Sequence, residues 1–240
     1  MPLPKSISAA FACLALLCAC AGLSAAESGQ ANQELSPEER HVVLKKIRQA
    51  QKDVRAIAAS VTQEKRLAAL KKTVVTEGTI TVAKPALLRW DVLRPEKTVT
   101  VLDGTAMTVY SPRMKEAQIY PLSEHAIARN SAAFFATAMS GDFDELERKF
   151  NVHVSRSGRD IVFNLEPVGI AVRYIASIAV AYDEVTGLPR SLELITPKGD
   201  RIKTTLSKVR TNPVLKADTF SLALPPDVRV TNQAEGTARN

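Results

Sequence analysis

Cysteine is confined to the start of the chain: Cys13, Cys18 and Cys20 are the only three among 240 residues. Nothing after Cys20 can form a bridge, so a disulfide-stapled scaffold is excluded. Zinc ribbons and iron–sulfur sites are excluded for the same reason. Histidine is equally scarce. His41 sits among charges, His153 alternates with valines, and His125 is remote from both, so no metal-ligand spacing exists. Catalytic patterns are missing too: there is no Gly-x-Ser-x-Gly, no Ser-x-x-Lys, no phosphate-binding glycine loop and no His-Glu-x-x-His. The expectation is a protein that is not an enzyme, with no catalytic residue, no metal and no cofactor. Aromatic residues make up only 5%, and the 32 basic residues, against 25 acidic, are spread along the chain. Nucleic-acid binding wants clustered bases with exposed aromatics, so no nucleic-acid partner is expected.

What is present is apolar content of 45%, that of a globular chain rather than a disordered one. Long apolar runs are limited to one, Ile7 to Leu23, preceded by Lys5 and followed by Ser24-Ala25-Ala26. Residues 1–26 therefore read as a secretory signal peptide, with a single domain over 27–240 and a polar tail from about Thr231. The run is at the short edge for a membrane span. A second processing route exists, because Leu17-Cys18-Ala19-Cys20 resembles a lipobox. Cleavage after Ala26 removes all three cysteines. Cleavage before Cys20 leaves a lipidated N-terminus. The soluble, exported product is the expectation, and the lipidated one is the alternative.

Glu27 to Leu35 reads as a disordered lead. Ser36-Pro37-Glu38-Glu39 then carries the marks of a helix start: a capping serine, a first-turn proline and a capping-box glutamate. Val43, Ile47, Ala50, Val54 and Ile57 recur every three or four residues, predicting an amphipathic helix of about 20 residues. From Ser60 the period changes to two. Strands are predicted near 60–68, 73–83, 87–93, 97–102, 105–110 and 116–120, then near 151–156, 159–165, 172–182, 189–196 and 201–210. Asp103-Gly104 marks a hairpin. Between the two groups, Ala126 to Met139 and Asp142 to Phe150 read as helical. Phe220 to Leu224 reads as a last short strand. The fold class expected is α+β, mainly β. About eleven antiparallel strands must curl into an incomplete, half-open barrel, covered by the N-terminal helix and the helical insertion.

Strand alternation suggests an apolar concave side. Leu88, Trp90 and Val92 share a face, as do Val99 and Val101, Met107 and Val109, and Ile161, Phe163 and Leu165. Sequence alone leaves open whether that side is a filled core or a cavity for an apolar ligand.

The order of elements resembles the periplasmic outer-membrane lipoprotein carrier family, LolA. Lys84-Pro85-Ala86-Leu87-Leu88-Arg89-Trp90-Asp91 is similar to that family's Arg-Pro-x-x-x-Arg-Trp segment. Gly78-Thr79-Ile80 precedes it, Asp103-Gly104 follows, and then Tyr110-Ser111-Pro112. Val61-Thr62-Gln63 resembles the family's Phe-x-Gln, and Phe220-Ser221-Leu222 with Pro225-Pro226 its C-terminal pattern. Two departures stand out: Lys84 replaces an arginine, losing the planar fork, and Val61 replaces an aromatic.

The resemblance implies a monomeric periplasmic carrier whose hydrophobic cavity holds the acyl chains of lipoproteins. Leu88, Trp90, Val101, Met107 and Phe163 would line it. Phe134, Phe135 and Met139 would belong to a lid, and Lys84 would stand at the mouth. Acylated lipoproteins, an inner-membrane releasing transporter, and an outer-membrane acceptor or membrane surface are the implied partners. The alternatives are an outer-membrane-anchored acceptor lipidated at Cys20, and a carrier of another envelope lipid.

Overall fold

Ser36 opens the first helix through the reciprocal bonds its sequence encodes. Its Oγ accepts the Glu39 backbone N–H at 3.3 Å, and the Glu39 carboxylate accepts the Ser36 N–H at 2.9 Å. These and all later coordinates come from a computed structural model, which describes residues 33–70, 72–125, 128–130, 132 and 143–233. The helix, α1, covers Pro37–Gln51 and is shorter than the apolar spacing predicts. It stops because Asn212 captures the chain beyond it. The Asn212 Oδ1 accepts the N–H groups of Arg55 and Ala56, and its amide donates to the Asp53 carbonyl. Val54 and Ile57 are buried, but from a turn and a strand rather than from the helix.

The strands are β1 (Gln33–Glu34), β2 (Ala56–Leu67), β3 (Lys72–Ala83), β4 (Leu87–Arg94), β5 (Thr98–Leu102), β6 (Ala106–Ser111) and β7 (Glu116–Pro121). After the short helix α2 (Phe143–Lys149) come β8 (Phe150–Ser157), β9 (Asp160–Pro167), β10 (Ser177–Asp183), β11 (Pro189–Ile195), β12 (Arg201–Thr211) and β13 (Arg229–Asn232). All lie in one sheet, ordered β1-β8-β9-β10-β11-β12-β2-β3-β4-β5-β6-β7-β13. The end strands β1 and β13 are not neighbours, so the sheet is open, as the half-open barrel requires.

Four predicted details change. Gln33–Glu34 pairs with β8, and the Leu35 N–H donates to the Val154 carbonyl, so the end of the expected lead is ordered. The strand predicted from residue 172 begins at Ser177, because Gly169–Arg173 makes a 3₁₀ turn that leaves Val172 half exposed. Phe220 to Leu224 forms no ladder; residues 220, 222 and 224 are half-buried and 221 and 223 exposed, which mimics a strand period. The last strand is instead Arg229–Asn232, parallel to β7, and it runs into the polar tail expected from about Thr231.

Register assigns every side chain to a face. Across β2 to β7 one row on the inner face runs Ile57, Val82, Leu88, Leu102, Met107, Tyr120, and the next runs Ala59, Ile80, Trp90, Thr100, Val109, Gln118. Across β8 to β12 the same face continues as Val154, Phe163, Val180, Leu192, Thr204. The seam is β12 against β2, where Gln63 Nε2 donates to Thr204 Oγ1 at 3.0 Å with both residues buried.

Gly78 permits the close approach of the β4 backbone to β3. A Cβ there would lie 2.2 Å from the Asp91 carbonyl oxygen, and the β3–β4 register slips between Glu77 and Gly78. Gly78→Ala should lower unfolding free energy by about 3 kcal/mol, read as a shifted denaturant midpoint.

The β10–β11 turn rests on Asp183, whose side chain is only 9% exposed. Its Oδ1 accepts the N–H groups of Val185 and Thr186 and the Thr186 hydroxyl, and its Oδ2 accepts Arg190 at 3.0 Å. Burial alone would raise the carboxyl, but these donors outweigh it and hold the pKa below the ordinary aspartate value. A depressed folded-state pKa contributes stability above the unfolded-state value that is lost as pH falls through the folded one. Asp183→Asn should therefore cost about 2 kcal/mol at neutral pH. Melting curves at several pH values should show that gap closing below about pH 4.

Candidate functional site

The inner face is covered differently on its two halves. Over β8 to β12 the cover is large and aromatic. Phe143 of α2 stacks on Phe163, with ring centroids 5.0 Å apart and planes at 11°. Tyr182 meets both rings edge-on at 6.4 and 5.2 Å. Val43 and Ile47 of α1, with Leu146 and Phe150, complete this cluster. Arg48 of α1 donates to Asp144 of α2 at 2.8 Å and lies over the Phe143 ring at 5.7 Å.

Over β2 to β7 the described cover is different. Among the described residues just after β7, Leu122, Ala128 and Ala132 pack with the cluster of Ile80, Val82, Leu88, Trp90, Leu102, Met107 and Tyr120. Leu88 and Tyr120 are 1% exposed, Met107 4% and Trp90 5%. Residues 128–130 and 132 are helical. His125 starts this turn: its Nδ1 accepts the Ala128 N–H at 3.2 Å, and its ring meets Tyr120 edge-on at 5.0 Å.

The face is almost wholly apolar. Tyr120 satisfies its hydroxyl by donating to the Gln118 side-chain Oε1 at 2.6 Å. Trp90 does not satisfy its indole: Nε1 is buried with no hydrogen-bond acceptor among the described residues.

The structure brings Leu88, Trp90 and Met107 together as the sequence predicts. Phe163 lies on the same face but in the other half, under Phe143. Val101 is a correction. It pairs with Arg89 and Thr108, so it points to the outer face, away from Trp90. It is nevertheless 3% exposed. The stretch between β12 and β13 crosses the outer face here, and Arg89 holds it, donating to the carbonyls of Thr219 and Ser221 at 3.4 Å each. The Arg89 fork also grips Asp91 at 2.8 and 2.9 Å. Phe134, Phe135 and Met139 lie outside the described residues. Lys84 reaches the C-terminal end of α1, where its Nζ donates to the Gln51 carbonyl at 3.4 Å, a favourable place for a cation. Sequence reasoning missed Leu102 and Tyr120. The Asp103 turn could have located Leu102, since its Oδ1 accepts the N–H groups of Thr105 and Ala106 and so sets Leu102 opposite Met107.

Among the described residues no three or more of His, Cys, Asp and Glu come together as a metal site, and no helix is long and apolar enough to cross a membrane. Residues 52–223 match the family model described as outer membrane lipoprotein carrier protein LolA. The chain belongs to that family. The outer-membrane lipoprotein carrier protein of Pseudomonas putida (strain W619) is 27% identical over 150 residues, covering 62% of this chain and 67% of that one. Its counterpart from Vibrio parahaemolyticus is 27% identical over 157 residues, covering 65% and 70%. An uncharacterised conserved protein from Thermus thermophilus, a crystal structure, aligns with a TM-score of 0.50 at 12% identity, covering 81% of this chain and 99% of that one. This last likeness concerns the fold alone. The family and these relatives carry the name of lipoprotein carriers.

His125→Ala removes both the bond to Ala128 and the Tyr120 contact. Hydrogen exchange at the Ala128 amide should speed up about fivefold, while amides of Leu192 and Ile202 stay unchanged.

Proposed function

We infer that this chain is an exported, monomeric carrier, freed of its signal peptide after Ala26. It binds the acyl chains of lipoproteins on the inner face of β2 to β7 and moves them through the periplasm from inner to outer membrane. The observation that carries this reading is the inner face itself: Leu88, Trp90 and Met107 belong to an apolar cluster on the β2 to β7 half that is separate from the stacked aromatic cluster around Phe163.

The energetics fit the task. A buried methylene contributes about 0.8 kcal/mol, so a sixteen-carbon chain represents about 12 kcal/mol that must be offset before it leaves a membrane. Apolar contacts supply that offset without direction, so release requires no specific bond to break. The acyl chains displace a cover rather than fill an open pocket, because Leu88, Trp90 and Met107 are already shielded from solvent. Displacing Phe143 would forfeit its stacked pair with Phe163, so the β2 to β7 half is the one that opens to the cargo. Lys84 then marks the boundary between the movable half and α1. The cargo comes from an inner-membrane lipoprotein-releasing transporter and goes to an outer-membrane acceptor or the membrane surface.

The test is release. Inner-membrane vesicles bearing the releasing transporter and a labelled lipoprotein should yield a soluble complex with the purified chain. No release by the folded protein would overturn the proposal. Intact mass of the mature N-terminus separates this soluble carrier from the Cys20-lipidated acceptor.

A further inference from the structure

Trp90 is the single tryptophan of the chain and the most demanding group on the inner face. It is 5% exposed, and its indole Nε1 meets no hydrogen-bond acceptor among the described residues. Its direct cross-strand neighbours are Ile80 and Thr100, and the residues clustered with it are Leu88, Leu102, Met107 and Val92. Buried indole N–H groups ordinarily find a partner, because an unpaired buried donor is destabilising. A face meant only as a core would be served better by phenylalanine, which fills similar space and needs no acceptor. An unpaired donor that persists in an apolar site is a group awaiting a ligand atom.

We propose that Trp90 Nε1–H donates a hydrogen bond to an acyl carbonyl oxygen of the bound lipid, fixing the depth to which the chain enters. This rests on the carrier reading above. The carbonyl is the one strong acceptor covalently joined to an acyl chain, whether as the ester of a glyceryl group or the amide of an acylated amine. An aliphatic stem below it lies against Leu88, Leu102 and Met107. The bond gives a non-directional apolar face a polar stop, so acyl chains are distinguished from plain alkyl chains of equal length.

The experiment compares 1-monopalmitoylglycerol with 1-O-hexadecylglycerol, which keeps the chain and head group but replaces the ester by an ether. One tryptophan means one indole N–H resonance in a nitrogen–proton correlation spectrum. The ester should move that proton downfield and the ether should not, with the ester binding about three- to tenfold more tightly. Trp90→Phe should abolish this preference, so that ester and ether bind the variant with equal affinity. Equal binding of both lipids with identical shifts, or an indole resonance unmoved by bound ester, would overturn the inference while the carrier reading stood. Binding of neither lipid by the folded chain overturns the carrier reading and the inference with it. Should Trp90→Phe fail to fold, the wild-type resonance decides the matter alone.

Discussion

A sheet of thirteen strands that does not close on itself has two faces to cover, and the molecule is organised by how it covers them. A closed barrel hides its inside by geometry. An open one must recruit other segments, and the described residues show four. α1 and α2 cover one half of the inner face and the turn beginning at His125 covers the other. The segment between β12 and β13 crosses the outer face under the grip of Arg89. Each cover draws on different chemistry. Aromatic stacking and an Arg48–Asp144 bond join α2 to α1 and the sheet. Among the described residues, Leu122, two alanines and a histidine contact pack onto the other half. A bidentate arginine and backbone carbonyls hold the outer strap.

Much of this was legible in the residues. Strand positions, the capping box at Ser36, the Asp103 hairpin and the family all follow from local pattern. What escaped did so for a common reason: alternation marks burial, and burial does not name the face. Val101 alternates as an inner residue would, but the strap buries the outer face of β5 as well, so both faces carry valine or leucine. Phe220 to Leu224 alternates because it drapes over a sheet, with no ladder of its own. Val54 and Ile57 continue the helical spacing because turn and strand lead into the same core. In each case tertiary cover imitated a local period.

The division of the inner face also explains why a family-wide lining cannot be transferred residue by residue. Trp90 and Phe163 share a face in register terms, yet they belong to separate clusters: Phe163 is locked against Phe143 and Tyr182, while Trp90 clusters with Ile80, Leu88 and Met107. Gln63 and Thr204 mark the seam between the two halves with a buried polar bond that holds β2 and β12 in register.

That seam has a kinetic side. Gln63 and Thr204 stand 141 positions apart in the chain, whereas the ladders from β2 to β7 join sequence neighbours. Local meanders form readily, and pairing across a long loop is slow. The half of the sheet that carries Trp90 is thus complete long before β12 has emerged to bind its other edge. During synthesis that half presents an unpaired β2 edge and an apolar face together, the combination most prone to aggregation. Joining the last long strand to the first is therefore the step that ends the chain's period of vulnerability.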